Sequence, residues 1–215
     1  MELGLFTQPV HRAEKPWATA LAEDRESVLL AEKLGFSEVW IGEHFSTKAE
    51  QIPSPLMFLA SLIEQTSTIR FATGVINLPY HHPVIVAAET AQFDQMSGGR
   101  VELGVGAGWY EAEHQAQGLA FPPIGKRFDL LEDTLEIMTG MWNTPVGETF
   151  DYSGRMLTIK SSPALPKPEQ RPGPPIIMGG SGPRRTPRLA ARFATEFNVP
   201  FTPPERWTEV TTIVR

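Results

Sequence analysis

Two periods of apolar positions run along the chain. Glu2–Gln8 is a short apolar run closed by Pro9 and predicts a first strand. After a loop with His11 and Pro16, Trp17–Leu34 carries Leu21, Val28, Leu29, Ala31 and Leu34 at helical spacing. Acidic residues come early in that segment and Lys33-Leu34-Gly35 ends it, which suits the helix dipole and supplies a glycine stop. Phe36–Gly42 predicts a second strand running into Glu43-His44-Phe45, and Pro55–Gln65 a second helix with proline in its first turn. The stretch Ile69–Pro83 then begins as a strand through Ile69, Phe71, Thr73, Val75 and Ile76. Mid-run it carries Ala72, Thr73 and Gly74, where bulkier residues would pack better. Glycine inside a strand marks a bulge or a close approach to the backbone. The run closes on Leu78-Pro79 and His81-His82 before a third helix over Val84–Met96. Val101–Val105 predicts a fourth strand leading into Gly106-Ala107-Gly108-Trp109-Tyr110.

The rhythm is then interrupted. His114–Gly125 reads as a loop, and Arg127–Trp142 as an amphipathic helix burying Leu130, Leu131, Leu135, Ile137 or Met138, and Met141. Thr149–Ile159 predicts a hairpin about Ser153-Gly154, and Ser162–Pro175 an extended, proline-rich connection. Alternation resumes with a strand at Ile176–Met178, the turn Gly179–Gly182, a helix at Arg184–Phe193 and a strand at Thr195–Val199. Pro203–Arg215 reads as the start of a sixth helix. Strands followed by helices in uniform order imply a parallel sheet with right-handed crossovers. A doubly wound sheet is complete at six strands, whereas a (β/α)8 barrel lacks two units at this length. No long crossover marks an order reversal, and polar or glycine-rich residues follow nearly every strand. Both features favour an α/β fold of (β/α)8 TIM-barrel type, with about six of eight βα units and an insertion after the fourth strand. Residues 1–215 form one incomplete barrel domain in this reading.

Composition narrows the function. Over 215 residues, 41% hydrophobic and 20% charged, the chain has the make-up of a globular domain. Its net charge of −6 argues against a nucleic-acid partner. The absence of cysteine excludes disulfides and thiolate chemistry. No apolar run approaches the ~20 residues of a membrane span, and the N-terminus MELGLFTQPV lacks the pattern of a secretory signal. A cytoplasmic protein that engages neither membrane nor nucleic acid is expected.

Candidate chemistry gathers after the strands. His44, beside Glu43 at a strand end, is a candidate general acid/base or a donor to a bound ring. His81 and His82 are expected on the neighbouring strand end. The three histidines and Glu43 lack metal-ligand spacing, so no metal is expected. Gly179-Gly180-Ser181-Gly182 before a helix has the parts of a phosphate cradle, with Arg184 and Arg185 adding positive charge. Gly104–Gly108 has the spacing GxGxG, not a Rossmann fingerprint. It makes a second bare strand end, and two of these side by side leave room for a flat ring.

SEVWIGEHF, IRFATGVINLPYHHPV, ETAQFDQMSGGRVELGVGAGWYEAEH and PPIIMGGSGPRRTPRLAARFATEFN, in that order, resemble the bacterial luciferase-like oxidoreductases. That family uses reduced FMN or the deazaflavin F420 on a (β/α)8 barrel, and the resemblance runs over about residues 2–200. It implies that His44 is the active-site histidine at the end of the second strand. It places Thr73, Gly74 and Val75 under the isoalloxazine ring, where family members often have a non-prolyl cis peptide. Gly106, Ala107, Gly108, Trp109 and Tyr110 would line the cofactor, Gly180, Ser181 and Gly182 would hold its phosphate, and Asn198 would border the ring.

The resemblance is divided over the cofactor. LPYHHP looks like the FMN-dependent monooxygenases, whereas GVGAGWYEAEH and MGGSGPRRT look like the F420-dependent members. Ala107 stands where many FMN members carry an arginine for the phosphate, which tips the expectation towards F420 with FMN as the alternative. With FMN the reduced cofactor would activate O₂ to oxygenate a small organic substrate; with F420 a hydride would pass to or from it. The family would continue through two more βα units, so either C-terminal sequence is missing or a partner stabilises the open barrel. A homo-oligomer, most simply a dimer, is expected on that account. The alternative function is a non-catalytic flavin-binding protein or a vestigial barrel.

Overall fold

A computed structural model describes residues 3–199 except 46, 48, 49, 51 and 181, together with 203, 205, 207–209 and 212. In chain order the elements are β1 (Gly4–Thr7), α1 (Trp17–Lys33), β2 (Glu38–Ile41), α2 (Pro55–Ala60), β3 (Arg70–Thr73), β4 (Ile76–Asn77), α3 (Pro83–Ser97), β5 (Val101–Gly106), α4 (Glu111–Ala116), α5 (Ile124–Asn143), β6 (Phe150–Ser153), β7 (Thr158–Ser162), β8 (Ile176–Gly179), α6 (Arg185–Phe193) and β9 (Glu196–Asn198). The main sheet is parallel in the order β1-β2-β3-β5-β8-β9, with β4 extending the pairing to β5. Strand order follows chain order without reversal, so the sheet is a half-barrel and not a doubly wound sheet. The antiparallel pair β6-β7 stands apart.

Alternation along each strand sorts the residues onto two faces. Val39, Ile41, Phe71 and Val101 are buried against α1 and α2, in a cluster with Val28, Ala31 and Leu59. Leu103, Val105, Ile176 and Met178 are buried with Val86 and Ala91 of α3, Leu131, Leu135 and Met138 of α5, and Leu189 of α6. The alternate positions form the concave face: Trp40, Ala72 and Ile177 pack there as a third cluster. Beside them Gly4, Phe6, Glu38, Trp40, Glu196, Asn198 and Val199 line a cavity of ≈ 400 Å³.

The structure departs from the sequence expectations at identifiable places. The helix expected over Pro55–Gln65 ends at Ala60 and continues as a 3₁₀ turn, Ile63–Gln65. There the Ser61 hydroxyl donates to the Phe58 carbonyl (2.7 Å) and competes with the helical ladder. The strand from Ile69 is broken between Thr73 and Ile76, and the Gly74–Val75 peptide bond is cis. Part of the expected loop His114–Gly125 belongs to α4, whose Glu111 and Glu113 favour a helix start. The hairpin continues past Ile159 to Ser162. Helix α5 begins at Ile124, ahead of Arg127; it buries both Ile137 and Met138, whereas Leu130 is half-buried. It also buries Asp133, which accepts the Tyr152 hydroxyl (2.9 Å) and the N–H groups of Arg155 (3.3 Å), Met156 (2.7 Å) and Leu157 (2.9 Å). One carboxylate thus ties the hairpin to the helix, a role a periodicity argument does not register. The helix expected over Pro203–Arg215 falls largely outside the described residues. No helix among the described residues is long and apolar enough to cross a membrane.

Candidate active site

Three strand ends converge at Thr73–Val75. Gly74 N–H donates to the Ile41 carbonyl (2.7 Å), and the buried Thr73 hydroxyl donates to the Gly104 carbonyl (2.8 Å). The backbones approach so closely that side chains are excluded. A Cβ on Gly104 would lie 1.8 Å from the Thr73 carbonyl oxygen, and one on Gly106 2.8 Å from Val75 Cγ2. Thr73, Gly74, Val75 and Gly106 are therefore neighbours, with backbone where bulk would otherwise stand. Phe6 and Trp40, with ring centroids 6.2 Å apart, lie beneath Gly74.

The loop after β5 is pinned from behind by the buried Arg127. Its guanidinium donates to the carbonyls of Gly108 and Pro122 (3.0 Å to Pro122) and sits 3.9 Å from the centre of the Phe121 ring. Ala107 is half-buried against the main core. Trp109 and Tyr110 are exposed and stack on each other, centroids 5.1 Å apart. Across the sheet, Gly180 N–H donates to the Asn198 carbonyl (3.1 Å), which brings these two expected residues together. Gly180 has φ +134°, a conformation that favours glycine, and Gly182 adjoins Thr186 at the start of α6. Ser181 lies outside the described residues. Arg185 is not available to a phosphate as expected: it binds Asp129 (2.7 Å), Glu132 (3.4 Å) and the Gly125 carbonyl (2.8 Å). Arg184 is exposed.

The histidines do not gather as the sequence suggests. His81 is bonded through Nε2 to Glu43 (2.8 Å), and His82 is exposed at the start of α3. Glu43 is buried on the other side of its carboxylate by the Asn77 N–H (2.7 Å), and its carbonyl accepts from Asn77 Nδ2 (3.1 Å). Burial alone would lower the His81 pKa; the bond to Glu43 and its charge outweigh this and raise it.

His44 stands between two other carboxylates. Its Nε2 is 3.1 Å from Glu50 Oε2, and its Nδ1 faces Glu113 Oε1 at 3.6 Å. Glu113, only 5% exposed, accepts the Phe45 N–H and the Tyr80 hydroxyl (3.3 Å). Tyr80 in turn lies 2.9 Å from His114 Nδ1, and the two rings stack at 4.2 Å. Burial, followed by the charge of Glu113, raises the Tyr80 pKa. Glu113 and His114 sit where the sequence reads as the start of the loop His114–Gly125, and both belong to α4. In the sequence nothing separates a buried, bonded Glu113 from the exposed Glu111 two residues earlier.

The comparisons with known proteins agree on a family. The family profile described as luciferase-like monooxygenase matches residues 1–215. The 4-hydroxyprotoasukamycin monooxygenase of Streptomyces nodosus subsp. asukaensis is 30% identical over 204 residues, 93% of this chain and 53% of that protein. Limonene 1,2-monooxygenase of Rhodococcus erythropolis is 39% identical over 127 residues, 59% of this chain and 32% of the relative. An F420-dependent glucose-6-phosphate dehydrogenase of Microbacterium testaceum is 33% identical over 171 residues, covering 77% of this chain and 48% of its own length. The crystal structure of the monooxygenase RslO1 from Streptomyces bottropensis superposes with a TM-score of 0.89 at 26% identity, over 100% of this chain and 65% of that one. The chain spans about half the length, or less, of these curated relatives. Profile, relatives and half-barrel together show that the chain belongs to the luciferase-like monooxygenase family.

Proposed function

We propose that this chain is the cofactor-binding part of an oxidoreductase that uses reduced FMN or F420 to transform a small organic molecule. The observation that carries the reading is the meeting of bare strand ends at Thr73–Val75 and Gly104–Gly106, where a Cβ at either Gly104 or Gly106 would collide. A flat ring needs such a floor, and the residues present fit one. Val75 and Gly106 would lie against its face, Asn198 at its border, and His44 within reach of a proton at its edge or on the substrate. Gly180, Ser181 and Gly182, ahead of α6, would form the turn that holds the cofactor phosphate. Ser181 and Gly182 would offer main-chain N–H groups, while the Gly180 N–H is taken by the Asn198 carbonyl. Bound there, FMN would supply oxygen activation and F420 hydride transfer, the chemistry being the cofactor's own. The residues would contribute orientation, and His44 the proton.

Ala107 provides no cation for a phosphate, which favours F420; the likeness to named monooxygenases favours FMN. Titrating the chain with each cofactor and following cofactor fluorescence separates the two. Saturation by F420 alone is the expected result, and saturation by FMN alone assigns the oxygenase chemistry. Binding of neither to the folded chain overturns the proposal.

A further inference from the structure

Two imidazole nitrogens of the candidate site are buried without a hydrogen bond, His44 Nδ1 and His114 Nε2, and the first misses a partner by a small margin. His44 Nδ1 is buried without a hydrogen bond, although buried polar atoms are nearly always paired. It faces Glu113 Oε1 at 3.6 Å. The rest of that carboxylate is already fixed. Oε1 accepts the Phe45 N–H and Oε2 the Tyr80 hydroxyl. His114 Nδ1 lies near both the Tyr80 oxygen (2.9 Å) and the Tyr110 carbonyl (3.1 Å), and a carbonyl only accepts, so this nitrogen carries the proton. That one N–H is shared between the Tyr110 carbonyl and the Tyr80 oxygen, and the Tyr80 hydroxyl donates to Glu113. Glu113 is thus a buried carboxylate served by neutral donors, with the His44 ring beside it. Burying a carboxylate on these terms favours a further donor.

The other nitrogen of His44 has different surroundings. Nε2 is 3.1 Å from Glu50, whose side chain is 21% exposed, against 3% for Glu113. One edge of the imidazole is thus sealed and the other leads to solvent. We infer that Glu113 is a positioning residue for His44: it holds the ring as the Nδ1–H tautomer, so that Nε2, on the Glu50 side, exchanges the proton. A proton held at one ring nitrogen sets the state of the other. In the proton balance, Nδ1–H stays on the Glu113 side throughout, and one proton enters and leaves at Nε2. The inference rests on the proposed role of His44 for its functional meaning, but not for its test.

The test is the histidine-ring ¹⁵N spectrum of the intact chain across pH, without cofactor. At alkaline pH, His44 of the parent should appear as the Nδ1–H tautomer. Glu113→Gln keeps the side-chain shape and an oxygen for the Phe45 N–H but removes the charge. It should release the tautomer preference, so that neutral His44 shifts towards Nε2–H. Glu50→Gln should leave the tautomer unchanged, Glu50 and Glu113 being the two carboxylates that face the ring among the described residues. Tyr80→Phe touches only the far oxygen of Glu113 and should not alter it either. An unchanged tautomer in Glu113→Gln overturns the inference. If that variant does not fold, the parent spectrum decides, because a neutral His44 protonated on Nε2 contradicts it. Failure of cofactor binding would leave these spectra as they are, so the two proposals fail separately.

Discussion

Gly104→Ala isolates the feature on which the strand-end floor depends. The new Cβ would lie 1.8 Å from the Thr73 carbonyl oxygen and 3.0 Å from its carbon, both backbone atoms that cannot swing aside. Reaching even a 3.0 Å contact requires β5 and the end of β3 to part by roughly 1.2 Å, the difference between 3.0 and 1.8. A shift of that size also breaks the buried Thr73–Gly104 hydrogen bond, now 2.8 Å. Overpacking of a dense interior costs about 1–3 kcal/mol, and the lost bond adds about 0.5–1.5 kcal/mol. Together they amount to roughly 2–4 kcal/mol, a large share of the ~5–15 kcal/mol that holds a typical domain folded. At about 2–4 °C per kcal/mol for a chain of this size, thermal melting followed by circular dichroism should fall by about 5–15 °C. Thr73→Val removes only the hydrogen bond and should cost about 1 kcal/mol by the same scale. A Gly104→Ala protein melting within about 2 °C of the parent would refute the close-packing argument. So would a Thr73→Val protein as damaged as Gly104→Ala.

Three further outcomes are expected. His81 has a raised pKa in the folded chain because of Glu43, so its stabilising contribution is complete below the ordinary value of 6.5 and is lost as pH rises through the folded value; urea unfolding at pH 6 and 8 should show that loss in the parent and not in His81→Gln. Asp133→Ala leaves the Tyr152 hydroxyl and three N–H groups without their acceptor, which should cost roughly 2–4 kcal/mol and loosen the β6-β7 hairpin first, as read by hydrogen exchange. The outer edges of β1 and β9 pair with no other strand among the described residues; unpaired edges promote association, so sedimentation should show a dimer or larger species, and a compact monomer at all concentrations would contradict this.

How much of this was legible in the residues depends on the length of the signal. Helices α1, α3 and α5 repeat their apolar spacing over 15 or more residues, and their positions follow from it. Helix α4 has 6 residues, too few for a period to show, and its second half falls in the stretch that reads as loop. The bare strand ends were visible because glycine and alanine are conspicuous in an apolar run; the cis Gly74–Val75 bond entered only through family resemblance. Pairings were the least legible. Glu43 with His81, Glu113 with His44 and Arg127 with Gly108 join residues 19 to 69 positions apart, and only the folded barrel selects these partners among many like residues. Arg185 shows the converse: a cation next to a glycine-rich turn suggests a phosphate, yet Asp129 and Glu132 on the preceding helix α5 occupy it.

The central claim is that the cofactor ring rests on the strand ends at Thr73–Val75 and Gly106. Side-by-side fluorescence titrations of the parent and Val75→Trp with F420 and FMN test it most directly. Val75 is half-buried at the edge of this floor, so an indole there fills the space the ring would occupy. The account predicts saturable binding of one cofactor by the parent and at least tenfold weaker binding by Val75→Trp, a difference of about 1.4 kcal/mol, with the melting temperature little changed. Equal affinity in the two proteins would contradict it.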